Sequence, residues 1–144
     1  MKILFVCTGN TCRSAMAEAI FRSMVDLRDF QVSSAGLFAF SGESAANNAI
    51  IVCADNGINL SSHVATAISD INVGEMDLIL TATHDHRDKI KSLFSGVDVY
   101  TIKEFAGGYD DLDIADPIGR NLDTYKECFL EIRQALLKVH QKLL

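Results

Sequence analysis

The sequence predicts an α/β protein built on a parallel sheet, and three observations predict it. Ile3, Leu4, Phe5 and Val6 form an unbroken apolar run with β-branched and aromatic members, the pattern of a strand buried on both faces. The run gives way to helical spacing and then to a second short strand, a strand–helix–strand unit that calls for a parallel crossover. A second apolar run, Leu78-Ile79-Leu80-Thr81-Ala82-Thr83, again leads into a helical pattern.

Each element follows from its residues. Ala15, Met16, Ala19, Ile20 and Val25 recur at helical spacing, which predicts a first helix from Ser14 to about Asp26. Gln31–Ala35 reads as the second strand, ended by Gly36, and residues 37–41 as an apolar loop carrying Phe38 and Phe40. Residues 44–56 read as a helix with Ala45, Ala49, Val52 and Cys53 inward and Gly57 as its stop. A short helix is expected over 68–74, the third strand over 78–83, and a third long helix over 87–94 after His84-Asp85-His86. Residues 97–102 alternate as a fourth strand. Residues 106–120 lose periodicity and gain Gly107, Gly108, Asp110, Asp111, Asp113 and Asp116 before Pro117, the only proline, which marks an exposed acidic loop of the kind that carries function. From Leu122 onward, Phe129, Ile132, Leu136, Val139 and Leu143 describe a long amphipathic closing helix.

Composition bounds the function. A chain of 144 residues, 49% hydrophobic and 22% charged, is expected to form one domain over residues 1–144 with an ordinary core. No apolar run approaches the roughly 20 residues of a membrane span, and no signal-peptide pattern is present, so a cytoplasmic protein without a membrane partner is expected. The net charge of −6 argues against nucleic acid, which requires a basic face. Cys7, Cys12, Cys53 and Cys128 read as reduced thiols rather than a disulfide framework. No zinc-type cysteine pair occurs, and His84 and His86 have no third ligand nearby, so they are read as capping or solvated groups. No metal and no cofactor is expected, and a monomer is the default.

The chemistry is concentrated in Cys7-Thr8-Gly9-Asn10-Thr11-Cys12-Arg13-Ser14, between a strand end and a helix start. Unpaired amides of a first helical turn, with the positive end of the helix dipole, favour a bound phosphate or a thiolate. Gly9 lets the backbone turn inward, Asn10 tolerates a left-handed conformation, and Arg13 offers a planar fork matched to phosphate oxygens. A nucleophile, Cys7, therefore shares one loop with an oxyanion site made of Thr8 to Arg13.

Cys-x-x-x-x-x-Arg-Ser directly after the first strand, with Gly9, Asn10 and Cys12 inside it, resembles the signature of the low-molecular-weight protein tyrosine phosphatases. The resemblance runs through Asp116-Pro117 to the final helix. It implies a three-layer fold with a four-stranded parallel sheet in the order 2-1-3-4. It also implies a cysteinyl-phosphate mechanism in which Cys7 is the nucleophile and Arg13 clamps the transferring phosphoryl group. Asp116 is then acid and base, aimed by Pro117. Ser14 resembles the family hydroxyl that donates to the sulfur, with a helix N-cap as its alternative. Asn10 resembles the residue that braces the loop, and His63 is a further candidate brace. Cys12, five residues from Cys7, is a candidate partner for reversible oxidation.

The substrate residue is read at two places. Tyrosine phosphatases of the family carry a branched apolar residue where this chain has Thr11, and two aromatic residues after the Asp-Pro, where it has Ile118 and Gly119. Thr11 with Asp-Pro-apolar-Gly instead resembles the bacterial protein arginine phosphatases, so phosphoarginine in proteins is favoured over phosphotyrosine. Those phosphatases have an aromatic residue where Ile118 stands, and Phe38 or Phe40 can supply a compensating wall. Arsenate reductase is disfavoured because residues 78–94 hold no resolving cysteine. A non-catalytic anion-binding or redox-sensing module is disfavoured by the intact Cys7, Arg13 and Asp116. A dinucleotide-binding reading lacks the glycine fingerprint.

Overall fold

The computed structural model describes residues 1–144. Four strands, β1 (Lys2–Cys7), β2 (Gln31–Gly36), β3 (Leu78–Thr81) and β4 (Val99–Thr101), form one parallel sheet in the order β2-β1-β3-β4. The helices are α1 (Arg13–Met24), α2 (Asn47–Asp55), α3 (His84–Leu93), α4 (Ile102–Ala106) and α5 (Leu122–Leu143). Both faces of the sheet are covered. Ile3 and Phe5 of β1 point into the larger core, with Met16, Ile20 and Phe21 of α1 and Phe129, Ile132 and Leu136 of α5. Leu4 and Val6 point into the smaller one, with Ile79, Ile90 of α3 and Val99. The unbroken apolar run is therefore that of a central strand with no solvent face.

Several boundaries differ from those the sequence predicts, and the larger differences have local reasons. The second helix begins at Asn47 rather than residue 44, because Ser44 bridges Val64 and the Ala46 N–H donates to the Thr11 carbonyl at 3.0 Å. Residues 68–74 are not one helix but part of two 3₁₀ turns, Ile68–Asp70 and Val73–Glu75, separated by an extended Ile71. The third strand stops at Thr81, and α3 starts at His84 because the Thr83 hydroxyl caps the His86 N–H. The fourth strand stops at Thr101, where a capping box opens α4: Thr101 Oγ1 accepts from Glu104 N at 2.9 Å and Glu104 Oε1 accepts from Thr101 N at 3.1 Å. No helix is long and apolar enough to cross a membrane.

Candidate active site

The carboxyl end of β1 delivers Cys7 into the loop that ends at the N-terminus of α1, at the centre of the sheet where β1 pairs with both β2 and β3. None of the backbone N–H groups from Thr8 to Arg13 donates to another group of the protein. The loop and the N-terminus of α1 border a cavity of about 100 Å³, lined by Cys7, Thr8, Gly9 and Thr11 to Arg13 together with Asp116 and Ile118, where unpaired amides and the helix dipole favour an anion. A larger cleft of about 700 Å³ at the β2 edge includes neither Cys7 nor Arg13.

The loop holds this shape through Asn10, not Gly9. Asn10 is the only non-glycine residue with positive φ, 57°, and is fully buried. Its side-chain amide donates to Ser14 Oγ at 2.8 Å and to Ser34 Oγ at 2.9 Å, and its Oδ1 accepts from Thr66 N at 2.9 Å. Ser34 in turn donates to Glu18 Oε1 at 2.6 Å, and His63 Nε2 lies 2.7 Å from the Asn10 carbonyl oxygen. Ser14 lies inside α1 and is not its N-cap, a position occupied by Cys12 without a side-chain capping bond. Its Oγ is 2.9 Å from Cys7 Sγ and 3.4 Å from the Ala35 carbonyl. Because Asn10 donates to the Ser14 oxygen, the hydroxyl proton is free for the sulfur, the nearer acceptor.

Arg13 is buried although charged. One nitrogen donates to the Ile114 carbonyl at 2.9 Å, and the other reaches Thr8 Oγ1 at 3.5 Å and Asp116 Oδ2 at 3.4 Å. Only the Ile114 contact is short, so the second nitrogen retains hydrogens for an anion in the cavity. Asp116 is partly exposed; its Oδ1 accepts from Ile118 N at 3.1 Å, which leaves Oδ2 facing Arg13. The acidic loop is pinned from below: Ile114 N donates to the Ala82 carbonyl at 2.9 Å, and Lys103 Nζ donates to the Asp113 carbonyl at 3.1 Å.

Thr11 is 9% exposed and lines the cavity, its Oγ1 3.8 Å from Cys12 Sγ. Phe38 lines a neighbouring cleft of about 480 Å³ that shares Thr8 and Arg13 with the cavity, whereas Phe40 lies further along the loop, 79% exposed. Cys12 contacts Tyr125 Oη at 3.3 Å, and burial pushes its thiol up. Burial raises the Cys53 thiol to about 11 and that of Cys128, below the loop, to about 12.

The model of the low molecular weight phosphotyrosine protein phosphatase family matches residues 2–144. The chain belongs to this family. It is 37% identical over 147 residues to the protein-arginine-phosphatase of Bacillus subtilis strain 168, covering 99% of this chain and 97% of that protein. It is also 37% identical over 133 residues to the low molecular weight protein-tyrosine-phosphatase PtpB of Staphylococcus haemolyticus, covering 92% of each. Among solved structures, the YwlE arginine phosphatase, as a cysteine-to-serine mutant with a phosphorylated active-site serine, superposes with a TM-score of 0.92. That match has 36% identity and covers 99% of this chain and 95% of the other. The protein is thus a low-molecular-weight phosphatase, a hydrolase of the cysteine-dependent class.

In this phosphatase several groups at the site escape sequence reasoning. His86 is not solvated or capping but buried, with Nε2 2.9 Å from Thr8 Oγ1. Gly36, read only as a strand end, has no room for a side chain: a Cβ there would lie 2.5 Å from the Thr8 carbonyl oxygen and 3.0 Å from Asn10 N. Ile114 acts through its backbone, for which no side-chain pattern exists. His84, by contrast, is exposed and pairs with Asp113 at 3.0 Å.

Proposed function

We propose that this phosphatase hydrolyses phosphoarginine in proteins through a phosphocysteine at Cys7. The observation that carries the substrate is Thr11 in the cavity wall, a hydroxyl-bearing side chain in place of an all-carbon branched one. No aromatic wall stands beyond Pro117 on that side, where Ile118 is 61% exposed. The B. subtilis relative, matched end to end, is a protein-arginine-phosphatase. Phosphotyrosine is the second reading, favoured by the exposed ring of Phe38 beside Thr8 and by equal identity to a tyrosine phosphatase.

In this mechanism the loop amides and the Arg13 fork bind the three non-bridging phosphoryl oxygens, where charge spreads as the phosphoryl group transfers. Cys7 Sγ attacks phosphorus as the P–N bond breaks, and Asp116 Oδ2 delivers a proton to the departing guanidine nitrogen. Asp116, now a carboxylate, takes a proton from the water that attacks the phosphocysteine. The S–P bond breaks and Ser14 Oγ donates to the released thiolate. Thr11, Ile118, Phe38 and Phe40 shape the mouth that selects the residue carrying the phosphoryl group. The protein acts on phosphorylated proteins in the cytoplasm as a single domain over residues 1–144, consistent with its four unpaired thiols.

The test compares kcat/KM on phosphoarginine and phosphotyrosine peptides for wild type and Thr11→Ile. Wild type should prefer phosphoarginine, and the substitution should shift the ratio toward phosphotyrosine by about tenfold or more. A wild type that prefers phosphotyrosine, with a ratio unmoved by Thr11→Ile, overturns the arginine reading.

A further inference from the structure

The side chain next to the nucleophile is held from an unexpected direction. Thr8 is exposed and lines both the 100 Å³ cavity and the 480 Å³ cleft beside it. Its Oγ1 has two nitrogen neighbours: Arg13 at 3.5 Å, which only donates, and Nε2 of His86 at 2.9 Å, from the first turn of α3. Which way the second bond runs follows from the other ring nitrogen. Nδ1 of His86 is buried and has no hydrogen-bond partner. Were the proton on Nδ1, a buried N–H donor would be left without an acceptor, a costly arrangement; with it on Nε2, the orphan is a lone pair and the N–H has an acceptor. Burial, and then the Arg13 charge, push the imidazole down to about 4, so it is neutral and carries one proton. That proton sits between Nε2 and Thr8 Oγ1.

Thr8 Oγ1 then receives a short hydrogen bond from His86, with Arg13 a more distant donor at 3.5 Å, which leaves its own proton uncommitted. We propose that His86 is a positioning residue for phosphoryl transfer, holding the Thr8 hydroxyl so that its oxygen accepts from Nε2 and its proton is donated to a phosphoryl oxygen. The inference rests on the phosphatase reading above. It adds a side-chain donor to a cradle otherwise made of backbone amides and Arg13. It also gives a functional reason for a buried, neutral histidine with an unpartnered nitrogen beside a buried cation, an arrangement that costs stability. His86 acts through Thr8 and exchanges no proton with the substrate.

The experiment measures kcat and KM on p-nitrophenyl phosphate, the affinity for inorganic phosphate by calorimetry, and Tm, for wild type, His86→Leu, His86→Gln, Thr8→Val and the double variant. His86→Leu should lose about tenfold to hundredfold in kcat/KM and bind phosphate more weakly, while its Tm holds or rises because the unpartnered nitrogen is gone. His86→Gln, with an amide N–H in place of Nε2–H, should recover most of the loss. The pH–rate profile above about pH 5 should keep its shape in both, which separates a positioning group from a proton donor. The double variant should be no worse than Thr8→Val, since both remove one device. His86→Leu within about twofold of wild type, or losses that multiply in the double variant, overturn the proposal. If His86→Leu does not fold, Thr8→Val decides: a wild-type rate there overturns it, and a loss that Thr8→Ser avoids supports it. If wild type hydrolyses nothing, the phosphatase reading fails separately. Phosphate affinity then still discriminates, since weakening in His86→Leu supports the pairing and no change overturns it.

Discussion

At the scale of single residues, the loop tolerates a side chain only where the sheet leaves room. Gly36 ends β2 directly against it, and an added Cβ would meet the Thr8 carbonyl, the Asn10 N–H and Ala39. Both contacts on the loop are backbone, so the loop itself must move. Gly36→Ala should therefore cost about 1–3 kcal/mol in stability and, because a shift of about 1 Å at a reacting centre is expensive, about a hundredfold in kcat/KM. Thermal unfolding and steady-state kinetics check both; a wild-type rate would show that the loop is not built on β2. Ser14→Ala separates two steps instead. It removes the proton aimed at Cys7 Sγ and one acceptor of the Asn10 amide, but Ser34 and Thr66 still hold Asn10 in place, so phosphate binding should persist. The phosphocysteine should accumulate, seen as a burst of product followed by a slower steady state.

At the scale of elements, most of what sequence reasoning missed lies where a backbone turn is decided by a partner far along the chain. The apolar runs placed β1 and β3 because burial on both faces leaves a signal in every residue. The start of α2 was not legible, since Ala46 is held by the Thr11 carbonyl and nothing near residue 46 announces it. The start of α4 was legible and overlooked: Thr101-Ile102-Lys103-Glu104 is a capping-box pattern hidden behind the alternation of β4. Thr101→Ala should cost about 1 kcal/mol, read by denaturant unfolding, with activity little changed. At the start of α3, the His84 N–H and ring both contact Asp113. The ring's hydrogen bond to Asp113, then the charges of Asp113 and Asp85, raise His84 above its ordinary value. Partial burial works to raise the Asp113 carboxyl, but its bonds from His84 hold it below. A raised histidine stabilises below its unfolded value and loses that contribution as pH rises through the folded one; a lowered carboxylate loses its share as pH falls. The pair is therefore fully formed between about pH 4 and 6.5. The Tm difference between wild type and His84→Ala should be largest near pH 5.5 and vanish by about pH 9.

At the scale of the whole molecule, the parallel sheet and its sequence of elements were legible from periodicity, but the order β2-β1-β3-β4 was not, because no local pattern states which strands are neighbours. The resemblance supplied it. The site was legible in the same uneven way: Cys7, Arg13 and Ser14 stand together in the chain, whereas His86 reaches Thr8 across 78 residues. The fold also sorts the four cysteines, and this can be tested on the intact protein. Burial raises the thiols of Cys12, Cys53 and Cys128, so all three stay protonated at neutral pH. Cys7 lines the loop's cavity beside the N-terminus of α1, where the helix dipole favours an anion. One equivalent of iodoacetate should enter the native protein quickly, at Cys7, and inorganic phosphate should protect against it. Cys12 lines the same cavity as Cys7, five residues away, which makes it the thiol placed to trap an oxidised Cys7. Peroxide oxidises the Cys7 sulfur to a sulfenic acid with release of water, and attack by the Cys12 sulfur then forms the S–S bond and releases a second water. Peroxide-inactivated wild type should thus regain most activity with dithiothreitol, while Cys12→Ser, left at the sulfenic stage, should be lost progressively to the irreversible acids. Equal recovery of the two proteins would show that Cys12 plays no protective part.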